Sequence, residues 1–291
     1  MIAYNPKDWF TFIFRFPKAD TFRKLFPMLC ALAVYSALVA YIEVEVLDLT
    51  KDSYAKNITL VHSLLSIVLS MLLVFRTNTA YDRWWEGRKL WGALVNNSRN
   101  LALKLSAILT DSADRQFFKT TIPAYSIALK DHLRSEETRL ELFDLDENRP
   151  ILLDNTKHVP NQVAEAMYLK INELYKENGI SGEQLLFLNP ELTAFTDICG
   201  ACERIRNTPI PYAYSLFLKK FIFFYIMTLP IGYVFSLGYY VVPIVAFIFY
   251  VLASMELIAE EIEEPFGHDS NDLPLSRLCE KIEKHVGEIF E

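Results

Sequence analysis

An uncharged run of 19 residues, from Asn57 to Phe75, constrains the fold of this chain more than any other feature of its sequence. An α-helix rises about 1.5 Å per residue, so a helix of this length covers roughly the 30 Å hydrocarbon core of a bilayer. The run passes with no turn signal into a polar and aromatic stretch from Arg76 to Trp91. The sequence therefore predicts a membrane-spanning helix that continues, unbroken, into water.

The composition fits a membrane protein with a substantial water-facing part. Of the 291 residues, 52% are hydrophobic and 22% are charged, which leaves material for both phases. The formal net charge is −7, so there is no basic surface for nucleic acid, which is excluded as a partner. The first 24 residues mix aromatic and charged side chains, unlike a cleavable signal peptide. We expect the first span to act as the insertion signal.

Three uncharged stretches predict four membrane spans. They cover residues 25–42, 57–75 and 221–255, and the last would be on the order of 50 Å long as one helix, too long for a single crossing. Glycines and a proline near its middle predict two spans, 221–237 and 239–255. Basic residues that flank the spans mark the cytoplasmic side. These residues are Lys18, Arg23, Lys24, Arg76, Arg83, Arg88, Lys89, Lys219 and Lys220. We expect a multi-pass protein of the cell (inner) membrane with both termini in the cytoplasm.

Residues 76–218 are predicted to form a helical cytoplasmic part, and residues 256–291 a cytoplasmic tail. In 76–218 apolar residues recur at helical spacing, and no stretch alternates convincingly with period two. The residues from Glu141 to Pro160 are the best candidate for a loop. Because we find no internal repeat and no independent linker, we expect an all-α protein with a single domain over residues 1–291.

The second span combines a polar stripe with an apolar series. Three hydroxyl residues lie inside it, Ser63, Ser66 and Ser70. Hydroxyls have no use against lipid, so they predict another neighbour. Three apolar residues recur near one face at i, i+4 and i+8: Ile67, Met71 and Phe75. Two explanations stay open. Four spans are too few to enclose water, so copies around an axis with span two innermost would turn each residue into a ring. Alternatively, the three pack against spans one and three, which periodicity alone favours.

Three short stretches carry a family resemblance. They are Phe75–Gly92, Cys202–Tyr214 and Ala259–Gly267, the last followed by Asn271–Leu275. In this order they resemble the bestrophin ion channels, in particular the bacterial members, over nearly the whole chain. The resemblance implies a bestrophin-like homopentamer around a central pore. It also implies a narrow neck on span two and a second constriction towards the cytoplasmic exit.

The resemblance assigns the neck to Ile67, Met71 and Phe75, with methionine where the family usually has an aliphatic or aromatic residue. It implies a channel that conducts small monovalent ions passively, chiefly anions such as chloride. A ring of apolar side chains can gate by dewetting, because an ion without water and without replacement ligands faces a large energetic cost. Such a neck does not distinguish anions from cations, so selectivity between them must come from nearby polar groups, among them the three serines.

Two alternatives stay open beside an anion channel. The acidic composition would favour sodium or potassium if carboxylates line the path, and Glu183, near the family's cytoplasmic constriction, would then form a ring of five negative charges. A glutamate on an exposed surface is the simpler interpretation of that residue. The other alternative is a non-conducting sensor or scaffold that uses its large helical part to bind partners.

No cofactor is expected, although two groups of residues raise the question. The tail has six acids within 13 residues, Glu260, Glu261, Glu263, Glu264, Asp269 and Asp272, and hard oxygens of this kind can hold calcium. In animal bestrophins a comparable segment forms a calcium clasp, of which only Asp269 and Asp272 remain here after Gly267. A solvated helix end with salt bridges is the favoured interpretation. The Cys199-Gly-Ala-Cys202 stretch has no histidine pair at matching spacing, so we predict packing around Gly200 instead of a zinc site.

An enzymatic function is not expected, and no catalytic residue is assigned. The runner-up class is a membrane enzyme in which His62 or His268 and the tail carboxylates bind a metal for hydrolysis. The sequence holds no H-E-x-x-H, no G-x-S-x-G and no phosphate-binding glycine loop. An ionisable side chain in a span points to a function by default, but His62 lies near the extracellular end, where water can reach it.

Overall fold

The computed structural model describes residues 21–47, 58–140, 142–144, 149–151 and 153–291. Predictions about other positions, among them Lys18 and the Asn57 start of span two, lie outside the described residues. Within the described part the chain is helical, as predicted, apart from one pair of short strands. The α-helices are α1 (Thr21–Tyr41), α2 (Ile58–Ile108), α3 (Ser112–Arg134), α4 (Val159–Lys176), α5 (Gly182–Asn207), α6 (Tyr212–Leu237), α7 (Val241–Glu263) and α8 (Leu275–Phe290).

The two strands are β1 (Leu142–Asp144) and β2 (Arg149–Ile151). They pair antiparallel, with Leu142 opposite Ile151. They lie within the segment that the sequence predicts as a loop. Strands of three residues are too short to produce a period-two pattern, which is why the sequence gives no sign of them.

The chain forms two compact units, each built from two parts of the sequence. We call the described residues of 21–83 and 209–263 the apolar unit, and those of 84–208 and 264–291 the polar unit. Helix α2 contributes to both, since the boundary falls between Arg83 and Trp84. The single domain over residues 1–291 stays a prediction.

In the apolar unit, α1, α6 and α7 pack against one another and share a core with the first part of α2. Core side chains include Leu25, Leu32, Leu69, Leu73, Ile222, Ile226, Val245 and Phe249. The 221–255 run is divided into two helices, because α6 ends at Leu237 and α7 begins at Val241. Between them Gly238 has a φ of 55°, which glycine adopts without the steric cost of a side chain.

Three helical stretches within the described residues are long and apolar enough to cross a membrane. They are Thr21–Val46, Ile58–Ile108 and Tyr212–Glu263, the last of which contains both α6 and α7. Only 17% of the apolar window of α2 is buried in the protomer, against 28% and 22% in the other two. Of these three stretches, the one that contains the second predicted span is therefore covered least by the rest of its chain.

The polar unit is a helical bundle around a core that includes Trp91, Leu101, Tyr125, Phe195 and Val286. The Tyr125 hydroxyl donates a hydrogen bond to the Phe195 carbonyl oxygen at 2.7 Å, so a buried polar group is satisfied. Helix α3 begins at an Asp111 cap, whose carboxylate accepts from the backbone N–H groups of Ala113 and Asp114. Helix α5 begins with a capping box between Ser181 and Gln184. These caps satisfy N–H groups that a helix leaves unpaired at its start.

Candidate functional site

The three predicted neck residues lie on the outward face of α2. Their exposed fractions in the protomer are 68% for Ile67, 59% for Met71 and 54% for Phe75. A different stripe of α2 is buried, including Leu69 and Leu73. At about 100° of rotation per residue, the centres of these two sets lie roughly 180° apart around the helix. The three residues therefore do not pack into the core of their own protomer, and their role in a neck stays a prediction.

The serine stripe flanks this outward face. The Ser63 hydroxyl donates to the Thr59 carbonyl oxygen at 2.9 Å, and the Ser66 hydroxyl donates to the Ser63 carbonyl oxygen at 2.7 Å. Ser70 is exposed. In this arrangement Ser63 and Ser66 turn oxygen lone pairs outwards. Each hydroxyl must break its hydrogen bond to the backbone carbonyl oxygen before it can donate to an anion.

Arg76, one residue after the predicted neck, is buried and paired with two carboxylates. Its Nη1 lies 2.7 Å from Glu263 Oε2, and its Nε lies 3.4 Å from Glu256 Oε2. The other oxygen of Glu263 accepts from the backbone N–H of Ile210 at 2.6 Å, and Arg83 Nε donates to the Glu263 carbonyl oxygen at 3.0 Å. These contacts link α2, α7 and the residues before α6, and so fix the rotation of α2 beside the outward face.

Glu183 lies in the first turn of α5 and is exposed. A hydrogen bond with the Ser181 side chain, followed by one with its own backbone N–H, lowers the pKa of the Glu183 carboxyl. The group is therefore ionised at neutral pH. Its place in a cytoplasmic constriction stays a prediction.

Asp272 braces the turn that follows the Pro265-Phe-Gly267 stretch. Its side chain is buried, and its Oδ2 accepts from the backbone N–H of Asp269 at 2.6 Å. Arg134 donates to the carbonyl oxygens of Phe266 and Gly267 at 3.1 and 3.0 Å. The Asp269 side chain is exposed. One carboxylate is thus engaged with the loop backbone, and the choice between a helix end with salt bridges and a calcium site stays a prediction.

The two histidines of the enzyme alternative have different surroundings. His62 is 2% exposed, with its Nε2 2.8 Å from the Thr228 hydroxyl oxygen, so the expectation that water reaches it is wrong because α6 covers the ring. His268 is exposed, and its Nε2 lies 2.7 Å from Glu136 Oε1. Neither belongs to the group of three potential metal ligands that the described residues contain. Among the residues that the structure describes, neither ring thus has two further metal-ligating side chains close enough to share an ion with it.

That group of three ligands, which the sequence analysis missed, lies in the polar unit. The Nε2 atoms of His132 and His158 lie 2.7 and 2.8 Å from the same oxygen, Oε1 of Glu203. Cys199 Sγ lies 4.0 Å from His158 Nε2. A histidine thus lies beside the cysteine pair in the fold, although none lies at matching spacing in the sequence. His158 is 41 residues from Cys199 in sequence, so motif spacing cannot find it.

The cysteine pair itself is buried, as packing requires, but Gly200 is not packed. Burial, followed by the charge of Glu203, raises the pKa of the Cys199 thiol to about 12, and burial also raises the pKa of Cys202. A Cβ on Gly200 would meet nothing within 4 Å. The predicted packing therefore involves the two thiols and leaves the glycine exposed.

Comparisons with known proteins agree on one family. The model of the bacterial and fungal bestrophin proteins matches residues 1–288. A voltage-dependent anion channel-forming protein of Nostoc is 39% identical over 77% of this chain and 75% of its own length. One from Ralstonia nicotianae is 31% identical over 100% of this chain and 94% of its own. A crystal structure of a bacterial bestrophin homolog from Klebsiella pneumoniae, carrying one mutation, has a TM-score of 0.77 and 28% identity, and covers 91% of this chain and 98% of that one.

Proposed function

Because this chain belongs to the bacterial and fungal bestrophin family, we propose that it is a passive channel for small monovalent anions such as chloride. The channel is a homopentamer around a central pore in the cell (inner) membrane. Its four spans place both termini in the cytoplasm, and α2 lines the neck. The relatives from Nostoc and Ralstonia are named for anion channel formation, which supports anions over cations as the permeant ions.

The outward face of α2 is the observation on which this proposal rests. Ile67, Met71 and Phe75 point away from the packed stripe of their own protomer, and α2 is the least buried of the three apolar stretches. Serine hydroxyls on the exposed flank of a helix would gain nothing from contact with lipid alone. Five copies around an axis would give Ser63 and Ser70 a polar neighbour and would convert each apolar residue into a ring.

The rings account for control of conduction. A narrow apolar ring offers no ligands to replace the water of an ion, so it opposes conduction when narrow and conducts when it widens and wets. Phenylalanine adds a partial preference, because the edge of an aromatic ring carries positive partial charge. Phe75 is 54% exposed, so its ring is available to a passing anion.

One observation favours the cation alternative of the same fold. The Ser63 and Ser66 hydroxyl hydrogens are engaged with their own helix backbone, which leaves oxygen lone pairs to face the axis. Lone pairs suit sodium or potassium better than chloride. Selectivity must therefore be measured on this protein.

Reversal potentials decide between these alternatives. The purified protein is placed in planar bilayers under a tenfold gradient of potassium chloride. A tenfold concentration ratio corresponds to about 59 mV for one elementary charge at 25 °C, so an ideally selective channel reverses near that magnitude. Reversal at the chloride equilibrium potential supports the anion channel. Reversal at the potassium value, with opposite sign, supports the cation alternative. A correctly folded pentamer that carries no current favours the sensor or scaffold.

A further inference from the structure

We propose that His132, His158 and Glu203, together with Cys199, form a binding site for a divalent transition metal ion of the zinc class. The site lies in the polar unit. His132 is in the last turn of α3, His158 is the N-cap residue of α4, and Glu203 and Cys199 lie one turn apart on α5. Three separate helices thus supply the ligand atoms, and none of these residues belongs to the outward face of α2.

The positions of the three nitrogen and oxygen ligands fit one ion. One ligand atom from each of His132, His158 and Glu203 lies within 4.8 Å of the other two. Zinc binds nitrogen and oxygen at about 2.0–2.2 Å, so two ligands of a tetrahedral ion are about 3.3 Å apart. The present separations of 2.7 and 2.8 Å are hydrogen-bond lengths. An ion can therefore replace the bridging protons if the Glu203 oxygen retreats by roughly 0.5 Å.

Cys199 is placed to act as a fourth ligand. Its Sγ is 4.0 Å from His158 Nε2, and nitrogen and sulfur ligands on one tetrahedral zinc ion are separated by about 3.5 Å. A bound metal ion deprotonates a coordinating thiol. Two nitrogens, one oxygen and one sulfur suit zinc or cobalt, whereas calcium and magnesium require mostly oxygen.

The surroundings hold the ligands in place and leave an entrance. Arg206 Nη1 donates to the His132 carbonyl oxygen at 2.8 Å, which fixes the last turn of α3. The side chains of His132, His158 and Glu203 are 27–29% exposed, so an ion can reach them.

His158 Nδ1 accepts from the backbone N–H of Asn161 at 3.1 Å, so its Nε2 holds the proton. Coordination by Nε2 moves that proton to Nδ1 and releases the Asn161 N–H to water.

Cobalt is the probe that tests the site, because it reports geometry and thiolate ligation. The full-length protein in detergent is stripped with EDTA, dialysed and titrated with Co²⁺, followed by competition with Zn²⁺. We expect one ion per chain, the visible absorption of tetrahedral cobalt and a thiolate-to-cobalt charge-transfer band. Glu203→Gln and His132→Gln should each weaken binding about tenfold or more, since loss of supporting groups alone costs 10–100-fold.

Two further variants keep the test decisive. Cys199→Ser changes one atom, so its fold should persist; it should lose the charge-transfer band while still binding cobalt more weakly. His285→Gln, in which the removed ring contacts Arg99 instead, should bind as the unmodified protein does. The proposal is overturned if the unmodified protein binds less than one ion per chain. It is equally overturned if the cobalt spectrum is unchanged in Cys199→Ser and in folded Glu203→Gln.

Discussion

The guanidinium of Arg76 lies 2.7 Å from a carboxylate oxygen of Glu263, where only 2% of the arginine side chain is exposed. Glu256, the second partner, is 4% exposed. Burial of these charges is unfavourable by itself, and the attraction between the arginine and the two carboxylates offsets that desolvation cost. The pair joins α2 to α7 immediately after Phe75, so it connects the stability of the apolar unit to the orientation of the outward face.

Arg76→Gln should be among the most destabilising polar substitutions in the apolar unit. It leaves Glu256 and Glu263 buried without their cation, and removal of one partner from a buried ion pair costs about 3–5 kcal/mol. Thermal unfolding in detergent measures the effect. The matched control is Lys219→Gln, whose ion pair with Glu260 is about half exposed and should contribute about 0–1 kcal/mol. Equal losses in the two variants would contradict the importance of the buried pair.

Met71→Ala should increase single-channel conductance and leave the fold intact. A smaller side chain widens an apolar ring and makes it easier to wet. No cavity forms, because Met71 is 59% exposed, so we expect a stability change within about 0.5 kcal/mol. Single-channel recording and thermal unfolding are the measurements.

Two controls separate the neck from other exposed or buried positions. Met28→Ala removes the same atoms from α1, where the side chain is 49% exposed, and should leave conductance unchanged. Leu73→Ala, at a side chain only 5% exposed, should cost about 2–5 kcal/mol of stability. If Met28→Ala and Met71→Ala change the current equally, the neck assignment fails.

Features that depend on neighbours in sequence were predictable. Helix α2 runs without a break from Ile58 to Ile108, as the missing turn signal after Phe75 indicates. The 221–255 run divides between α6 and α7 at Gly238, as the glycines and the proline near its middle predict. These outcomes follow from helix periodicity, capping and turn residues, which act over a few positions.

Features that depend on distant residues were not predictable. Arg76 pairs with Glu263, whereas Glu86, which is much nearer to Arg76 in sequence, pairs with Arg204 at 2.6 Å. His132 is 71 residues from Glu203, and no local pattern connects them. Such contacts are set by how helices pack, so a single sequence names the groups but not their partners.

Glu183→Gln should leave the reversal potential unchanged if the residue is an exposed surface group. Hydrogen bonding to Ser181 and to its own backbone N–H lowers the pKa of Glu183, so the charge persists as the pH is lowered from 7 to 5. A ring of five such charges in the pore would therefore act over this whole range. A shift of the reversal potential towards the chloride value in the variant would place Glu183 in the path.

The Glu203 carboxylate should stabilise the metal-free protein at neutral pH, and this stabilisation should be lost in acid. Burial alone would raise its pKa, but hydrogen bonds from His158 and His132, and then their charges, outweigh burial and lower the pKa. Because the folded value lies below an unfolded value of about 4.3, the stabilisation is complete above about pH 4.3 and disappears as the pH falls through the folded pKa.

Unfolding of the unmodified protein and of Glu203→Gln as a function of pH measures this contribution. The stability difference between them should shrink as the pH falls below about 4.3. Glu288→Gln removes a carboxylate that is 56% exposed, and its curve should run parallel to that of the unmodified protein. A difference that grows towards acidic pH would have the wrong sign for a lowered pKa.

Gly267→Ala and Gly200→Ala should have opposite effects, although both add one methyl group. A Cβ on Gly267 would lie 2.8 Å from Asp272 Oδ2, the oxygen that accepts from the Asp269 N–H. The buried carboxylate must then move, and a disturbed buried hydrogen bond costs about 1–3 kcal/mol. Gly200 lies inside α5 with nothing within 4 Å of an added Cβ, so alanine should stabilise by up to about 1 kcal/mol through helix propensity. Thermal unfolding of both variants is the measurement, and a stable Gly267→Ala protein would mean that Asp272 does not brace this turn.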